Sequence, residues 1–160
     1  VQMTLTTYDE ELCRKIEPHV STTRERFEVL MRCKELGIPT LVWMTPILPF
    51  INDTRENIEG LLDYCLLAGV QGILVFDVGV TLREGDREYF YQALDRDFPS
   101  IRQKYISTYG NVYDIPSPYA KELMALIQNT CVANGMLCSP KECFTYLHEF
   151  PERYVQQTLF

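Results

Sequence analysis

Thr40-Leu-Val-Trp-Met-Thr45 is followed directly by Pro46-Ile-Leu-Pro49-Phe-Ile-Asn52-Asp53, and this stretch decides the fold of the chain. The first piece is a run of β-branched and bulky residues that ends at a proline, which predicts a buried strand. Pro46 and Pro49 prevent regular pairing in the segment that follows, so it should form an extended loop. In a parallel α/β protein, ligands bind in the loops that leave the carboxyl ends of strands. This loop is therefore the first candidate for a functional site.

Helices are predicted on both sides of this strand. After the loop, Asp53 and Glu56 have the spacing of a capping box, and apolar residues at helical spacing follow as far as Gly69, which should end the helix. Before the strand, two helices are expected in residues 9–16 and 22–37. The threonines that should cap these two helices are Thr7 and Thr22.

Two further apolar runs, residues 1–7 and 72–79, predict strands on either side of the first. Because helices and no hairpin signal separate the three strands, they should form a parallel sheet with crossover helices. Residues 83–148 should be mostly helical, with an irregular stretch at 109–116. Ser117 and Ser139, each followed by proline, should cap the last two helices. A strand at the very first residue leads us to expect a piece of a longer protein.

The composition excludes several classes of protein. The chain has 160 residues, 46% of them hydrophobic, which suits one folded domain and excludes disorder. A net charge of −7 argues against tight, sequence-independent binding to nucleic acid. No apolar run approaches the ~20 residues of a membrane-spanning helix, so no membrane association is expected. There is no secretory signal, and the six cysteines show no close-paired pattern, so we expect a cytoplasmic protein.

Three cysteines near the C-terminus have two possible interpretations. Cys131, Cys138 and Cys143 are followed by His148, which is a set of ligands for an iron–sulfur or zinc site. The same cysteines also suit small apolar positions near a helix pair. Metal sites usually include a short Cys-x-x-Cys hairpin, which this chain lacks, so packing is favoured. The remaining cysteines fall on or beside apolar helical stripes and are expected in the core: Cys13, Cys33 and Cys65.

Polar residues lie at or near the carboxyl ends of the predicted strands. They are Thr6, Thr7, Thr45 and Asp77. In a parallel barrel, such positions converge on one mouth. Hydroxyl groups and a carboxylate at that mouth have the chemistry to hydrogen-bond a ribose or an amino-acid group. The alternative is that these residues only cap the helices that follow.

A series of short motifs runs in order along nearly the whole chain. It consists of Thr6-Thr-x-Asp9-x-x-Leu12, Glu17-Pro18, Arg26, Gly37-Ile38, Pro46-x-x-Pro49, Asn52-Asp53, Gly79-x-Thr-Leu-Arg83-x-Gly85-x-Arg87-x-Tyr89-Phe90, Tyr109-Gly-Asn111 and Pro116-Ser-Pro118. Taken together, the series resembles the second half of the catalytic domain in radical S-adenosylmethionine (radical SAM) proteins. The most similar group is the one that includes spore photoproduct lyase, the DNA repair photolyase-like branch.

The resemblance implies a fold and two cofactors. Residues 1–98 would be half of a (β/α)6 partial TIM-type barrel, with three parallel strands and crossover helices. Residues 99–160 would be a mostly helical C-terminal extension packed on it. The parent protein would use S-adenosylmethionine and a [4Fe–4S] cluster. Thr6 would face the ribose or methionine part of S-adenosylmethionine, and Thr45 with Pro46 would line its adenine side. Asp77, at the third strand end, completes the candidate cofactor-binding set.

The sequence departs from these enzymes at the cluster. Their Cys-x-x-x-Cys-x-x-Cys loop is absent, so the fragment should be inactive alone and should hold no cofactor. Its first partner would be the missing N-terminal half of its own barrel. Uncovered strand edges should make it self-associate, or cover its sheet with its own C-terminal helices. The alternatives are a stand-alone α/β binding or scaffold module, and a small Cys-rich metal protein.

The last residues suggest a further partner. Gln156-Gln-Thr-Leu159-Phe160 resembles the Gln-x-x-Leu-Phe peptide by which bacterial DNA repair and replication proteins dock on the sliding clamp. Leu159 and Phe160 would fill a pocket of the clamp, and Gln156 would hydrogen-bond at its rim. The alternatives are that these side chains pack on the last helix, or that the match arises by chance.

Overall fold

A parallel sheet of three short strands forms the centre of the structure, a computed structural model that describes residues 1–149. The strands are β1 (Gln2–Thr4), β2 (Leu41–Trp43) and β3 (Gly72–Leu74), and they lie in the order β1-β2-β3. Helices α1 (Glu10–Ile16) and α2 (Thr23–Glu35) connect β1 to β2, and α3 (Arg55–Ala68) connects β2 to β3. The predicted α/β class and the three parallel strands are confirmed.

The rest of the described chain adds a second, antiparallel sheet and four helices. The elements are β4 (Gly79–Thr81), α4 (Asp86–Asp97), α5 (Ile101–Tyr109), β5 (Asp114–Pro116), α6 (Ala120–Ala133) and α7 (Pro140–His148). Strands β4 and β5 pair with each other, and α4 and α5 lie between them in the chain. We call residues 79–116 the β4–β5 lobe.

The third strand is shorter than the predicted 72–79, and the stretch at 109–116 that was predicted to be irregular contains a strand at Asp114–Pro116. Strand β3 ends at Leu74, and Gly79 begins a separate strand. A Cβ atom on Gly79 would lie 2.5 Å from the carbonyl oxygen of Ile115 and 2.9 Å from Cα of Pro116. Glycine therefore permits the close approach of β5, a partner too distant in sequence to leave a local signal.

Alternate residues of the parallel sheet enter two apolar clusters on its opposite faces. Val42 and Ile73 belong to the main cluster, which includes buried side chains of α2, α3 and α6. Leu41 and Leu74 belong to a smaller cluster with Cys143 of α7. Helix α7 thus covers β2 and β3 on the second face, while Thr4 of β1 is exposed. Self-association of the chain stays a prediction.

A third apolar cluster holds the β4–β5 lobe together around Tyr91, Leu94, Tyr105 and Ile115. Phe50 of the β2–α3 loop packs into this cluster, with its ring centre 5.6 Å from that of Tyr105. The loop that the sequence marks as functional is therefore also the joint between the parallel sheet and the lobe.

Two predicted caps are wrong because their side chains have other partners. Thr54, rather than Asp53, caps α3, and its hydroxyl accepts a hydrogen bond from the backbone N–H of Asn57 at 3.1 Å. Asp53 accepts a hydrogen bond from the buried Ser117 hydroxyl. Ser117 in turn accepts from the Tyr119 N–H, and α6 begins only at Ala120 without a side-chain cap.

Of the other predicted caps, one is wrong and two are confirmed. Asp9 caps α1 by accepting from the Leu12 N–H at 2.7 Å, so the prediction of Thr7 is wrong. Thr22 and Ser139 cap α2 and α7 as predicted.

Residues 150–160 are outside the described part of the chain, and the predicted clamp-binding residues lie there: Gln156, Leu159 and Phe160. The predicted division of the chain at residue 98 stays a prediction. Among the helices of residues 1–149, none combines the length and apolar character needed to cross a membrane.

Candidate functional site

Thr6 lies just after β1, where a charged network fixes its hydroxyl. The residue is 4% exposed, and its hydroxyl donates to Oε1 of Glu17 at 2.8 Å. Arg26 donates to Oε2 of Glu17 at 2.6 Å and to the Thr4 carbonyl at 3.1 Å. Because Glu17 ends α1 and Arg26 belongs to α2, the network ties both helices to the end of the strand.

Two asparagines hold the β2–α3 loop against the same strand end. Asn52 is 1% exposed, and its amide nitrogen donates to the Thr6 carbonyl and to the Thr7 hydroxyl, each at 3.0 Å. Its amide oxygen accepts from the Leu48 N–H at 2.6 Å. Asn57 of α3 donates to the Thr6 carbonyl at 2.9 Å. The sequence marks Asn52 only as a loop residue, because the partners of its amide nitrogen are 45 and 46 positions away.

A cavity of about 400 Å³ lies beside this loop. It lies between β1, the end of α1, the β2–α3 loop and one face of α4, and we call it the seam cavity. Its lining includes Thr6, Lys15, Glu17, Pro46, Leu48 and Phe90.

The second cavity, of about 650 Å³, lies where the ends of β2 and β3 meet the β4–β5 sheet. We call it the strand-end cleft, and its lining includes Thr45, Pro46, Phe76, Asp77 and Asp114. Thr45 is half-buried and Asp77 is exposed, with one carboxylate oxygen accepting from the Val78 N–H at 2.7 Å.

The candidate cofactor-binding residues therefore fall in two adjoining cavities. Thr6 lines the seam cavity, Thr45 and Asp77 line the strand-end cleft, and Pro46 borders both. Sequence reasoning missed Glu17 as the partner that orients Thr6. In the sequence, Glu17-Pro18 and Arg26 stand out only as parts of the resemblance.

Two tyrosines of the lobe act as hydrogen-bond donors, one to the β2–α3 loop and one within the lobe. Tyr105 donates to the Pro49 carbonyl at 2.7 Å, and Tyr109 donates to the Pro116 carbonyl at 2.6 Å. Burial is the main cause that raises the pKa of both phenols, and the nearby Asp53 carboxylate is the second. Both phenols therefore keep their protons at neutral pH and remain donors.

The cysteines are free thiols, and their chemistry does not suit a cluster. A hydrogen bond between the thiols of Cys131 and Cys138 raises the pKa of Cys131 and lowers that of Cys138. Burial raises the pKa of Cys143 to about 11 and that of Cys65 to about 12. Metal ligation requires thiolates, which such burial disfavours. Within residues 1–149, no three His, Cys, Asp or Glu side chains are grouped so as to hold a metal ion.

No protein-family model and no solved structure matches the chain significantly. Curated relatives that match it are the uncharacterized proteins Mb2609c of Mycobacterium bovis, and MT2655 and Rv2578c of Mycobacterium tuberculosis. Each is 29% identical to the chain over 123 residues, which is 77% of the chain and 36% of the relative. The matched part of the chain thus spans about a third of the length of these mycobacterial proteins.

Proposed function

We propose that this chain is the second half of the catalytic barrel of a radical SAM enzyme and forms one wall of its S-adenosylmethionine site. The observation that carries the proposal is the unequal covering of the parallel sheet. Helices α2, α3 and α6 pack on one face, while the other face has α7 over β2 and β3 and leaves Gln2 and Thr4 of β1 exposed. In a barrel, helices cover the outer face of the strands and the inner face lines a lumen, to which the exposed side of β1 would belong.

The edges of the sheet support the same proposal. At the β3 edge, the Ile73 N–H donates to the Leu137 carbonyl at 2.8 Å, and the Leu137 N–H donates to the Gln71 carbonyl at 2.9 Å. At the β1 edge, no strand of residues 1–149 is paired. Further parallel strands would therefore add beside β1, which is where the first half of such a barrel would join. The greater length of the mycobacterial relatives leaves room for that half.

The residues at the strand ends fit S-adenosylmethionine. Both cavities lie within the range of about 300–1,000 Å³ typical of small-molecule sites. The Thr6 hydroxyl already donates its hydrogen bond to Glu17, so its oxygen would accept a hydrogen bond from the ligand. Asp77 would accept from a ribose hydroxyl or an amino group, and Thr45 with Pro46 would border the adenine. The chemistry that S-adenosylmethionine supplies when bound in such enzymes is hydrogen abstraction by a carbon radical.

The [4Fe–4S] cluster does not fit the cysteines of this chain, so we assign it to the other half of the barrel. Two alternatives from the sequence remain distinct from this proposal: a stand-alone α/β binding or scaffold module, and a Cys-rich metal protein. Six free thiols are consistent with a reducing cytoplasm, where we propose that the protein resides.

Binding of S-adenosylmethionine by the whole polypeptide that contains this chain should depend on Thr6. Thr6→Val removes the hydroxyl, and loss of one hydrogen bond should weaken binding about two- to tenfold. Isothermal titration of anaerobically reconstituted protein measures this change. The exposed Thr108 of α5 provides the matched control, because Thr108→Val should leave the affinity unchanged.

The same preparation tests whether the ligands of the iron–sulfur cluster lie in the other half of the barrel. The polypeptide should contain a Cys-x-x-x-Cys-x-x-Cys loop before this chain, and the 160-residue chain alone should carry no stoichiometric iron. An iron–sulfur absorption band that the chain alone retains after desalting would refute the proposal. An upstream sequence without the cysteine loop would refute it too.

We also propose that the C-terminal tail docks on a bacterial sliding clamp through Gln156, Leu159 and Phe160. A labelled peptide of the last dozen residues should bind clamp with a Kd in the range of about 1–100 μM, because ordering a short peptide on binding limits its affinity. Replacing both Leu159 and Phe160 by alanine should abolish this binding. Equal titration curves for the native and the doubly substituted peptide would contradict the proposal.

A further inference from the structure

The seam cavity contains an unmatched positive charge. The charged residues that line it are Lys15, Glu17, Arg96 and Asp97. Glu17 is paired with Arg26 at 2.6 Å, and Asp97 is paired with Arg96 at 2.6 Å. Within residues 1–149, no carboxylate lies within ion-pair distance of Lys15 Nζ. Because both carboxylates of the lining are paired with arginines, the exposed Lys15 is left at the rim without an ion-pair partner in that part of the chain.

Lys15 is held at the wall of this cavity. Its Nζ atom lies 4.4 Å from the centre of the Phe98 ring, over the π face. A cation–π contact of this kind positions the ammonium group and leaves N–H donors available for a ligand. Asp97 does not compete strongly for them, because Arg96 donates to both of its carboxylate oxygens. The Arg96 guanidinium is also the first cause of the lowered pKa of Asp97, to which Lys15 contributes a smaller share.

The interior of the cavity is apolar. Leu48 and Ile51 of the β2–α3 loop face Phe90 and Leu94 of α4 across a volume of about 400 Å³. The cavity lies between the parallel sheet and the β4–β5 lobe, and small-molecule sites often occur where two such parts of a protein meet. An occupant must therefore offer apolar surface to the interior and a negative charge to the rim.

We propose that the seam cavity binds a small amphipathic anion. Its apolar body fills the space between α4 and the β2–α3 loop, and its single carboxylate, phosphate or sulfonate group pairs with Lys15. The site shares the seam cavity with Thr6 of the proposed S-adenosylmethionine site, but the anion should bind the 160-residue chain without S-adenosylmethionine or iron, so the two proposals can fail separately. A neutral ligand would leave Lys15 unmatched, and a purely polar anion would leave the apolar walls in contact with water.

Two fluorescent probes of the same ring system test the proposal on the 160-residue chain. The anionic probe is 8-anilinonaphthalene-1-sulfonate, and the neutral probe is N-phenyl-1-naphthylamine, which lacks the sulfonate. Lys15→Met keeps the apolar stem and removes the charge, so it should weaken the sulfonate about tenfold. Binding of the neutral probe should be unchanged. Lys121→Met, on the exposed face of α6, is the control that should affect neither probe.

A second variant locates the probes. Ala93 of α4 lines the cavity, so Ala93→Trp should fill it and remove the binding of both probes from a chain that still unfolds cooperatively. Sulfonate affinity that is unchanged by Lys15→Met overturns the proposal. Full binding of both probes to folded Ala93→Trp overturns it as well, because the dyes would then bind elsewhere. If Ala93→Trp does not fold, the comparison of Lys15→Met with Lys121→Met decides alone.

Discussion

Asn52→Asp should lower the free energy of unfolding by about 3–5 kcal/mol at neutral pH. The two side chains have the same shape, but the variant replaces an amide donor with a carboxylate oxygen. That oxygen would face the Thr6 carbonyl, which accepts from Asn52 at 3.0 Å. Because position 52 is 1% exposed, water cannot solvate the new charge. Unfolding in urea, followed by circular dichroism, measures the loss.

The loss of unfolding free energy in Asn52→Asp should depend on pH, and burial of the carboxyl group determines the direction of that dependence. An aspartate at position 52 would have its folded-state pKa raised above the ordinary value of about 3.9, so the folded state would bind more protons than the unfolded state. The penalty should therefore be smallest near pH 4 and grow as the pH rises through the raised folded-state pKa. Asn129→Asp on the exposed face of α6 should cost less than about 0.5 kcal/mol. A small, pH-independent loss at position 52 would contradict the assignment of its amide as a buried donor.

The elements of the parallel sheet could be predicted because their signals are local. The side chains of Thr22 and Ser139 cap their helices by accepting hydrogen bonds from backbone N–H groups three residues later. Gly69 ends α3 in the left-handed conformation, with φ of 62°. The pairing of β4 with β5 could not be predicted, since it joins residues 79–81 to residues 114–116. Asp53 likewise looked like a cap because its partner Ser117 lies 64 positions away.

The candidate site was predictable to the same extent. Parallel strand ends converge, so Thr6, Thr45 and Asp77 could be selected from strand boundaries alone. Which cavity each residue lines depends on where α4 and the β4–β5 sheet pack, and no local pattern encodes that. Lys15 gave no signal at all, because its role in the seam cavity depends on Phe98 from a distant helix end.

Gly72→Ala should destabilise the fold by about 2–3 kcal/mol, because it would force apart two segments that the native chain holds in contact. A Cβ atom at position 72 would lie 2.7 Å from both Cβ and the carbonyl oxygen of Leu137, and 2.9 Å from Cδ2 of Leu41. The backbone of Leu137 makes the hydrogen bonds that close the β3 edge, so it cannot move without losing them. Urea titration measures the change in stability.

Displacing Leu137 should also loosen α7, which follows it and buries Cys143 against β3. In the native chain, burial raises the pKa of the Cys143 thiol to about 11, so it should react slowly with maleimide at neutral pH. Gly72→Ala should speed that labelling, which peptide mass mapping can assign to Cys143. Gly37→Ala is the control, since position 37 has φ of 65° and open space. It should cost about 1 kcal/mol from backbone strain and leave the labelling rate unchanged. Full stability and a protected Cys143 in Gly72→Ala would mean that Leu137 does not close this edge. The β3 edge would then also be open to added strands, and β1 would lose its distinction as the side where the other half of a barrel joins.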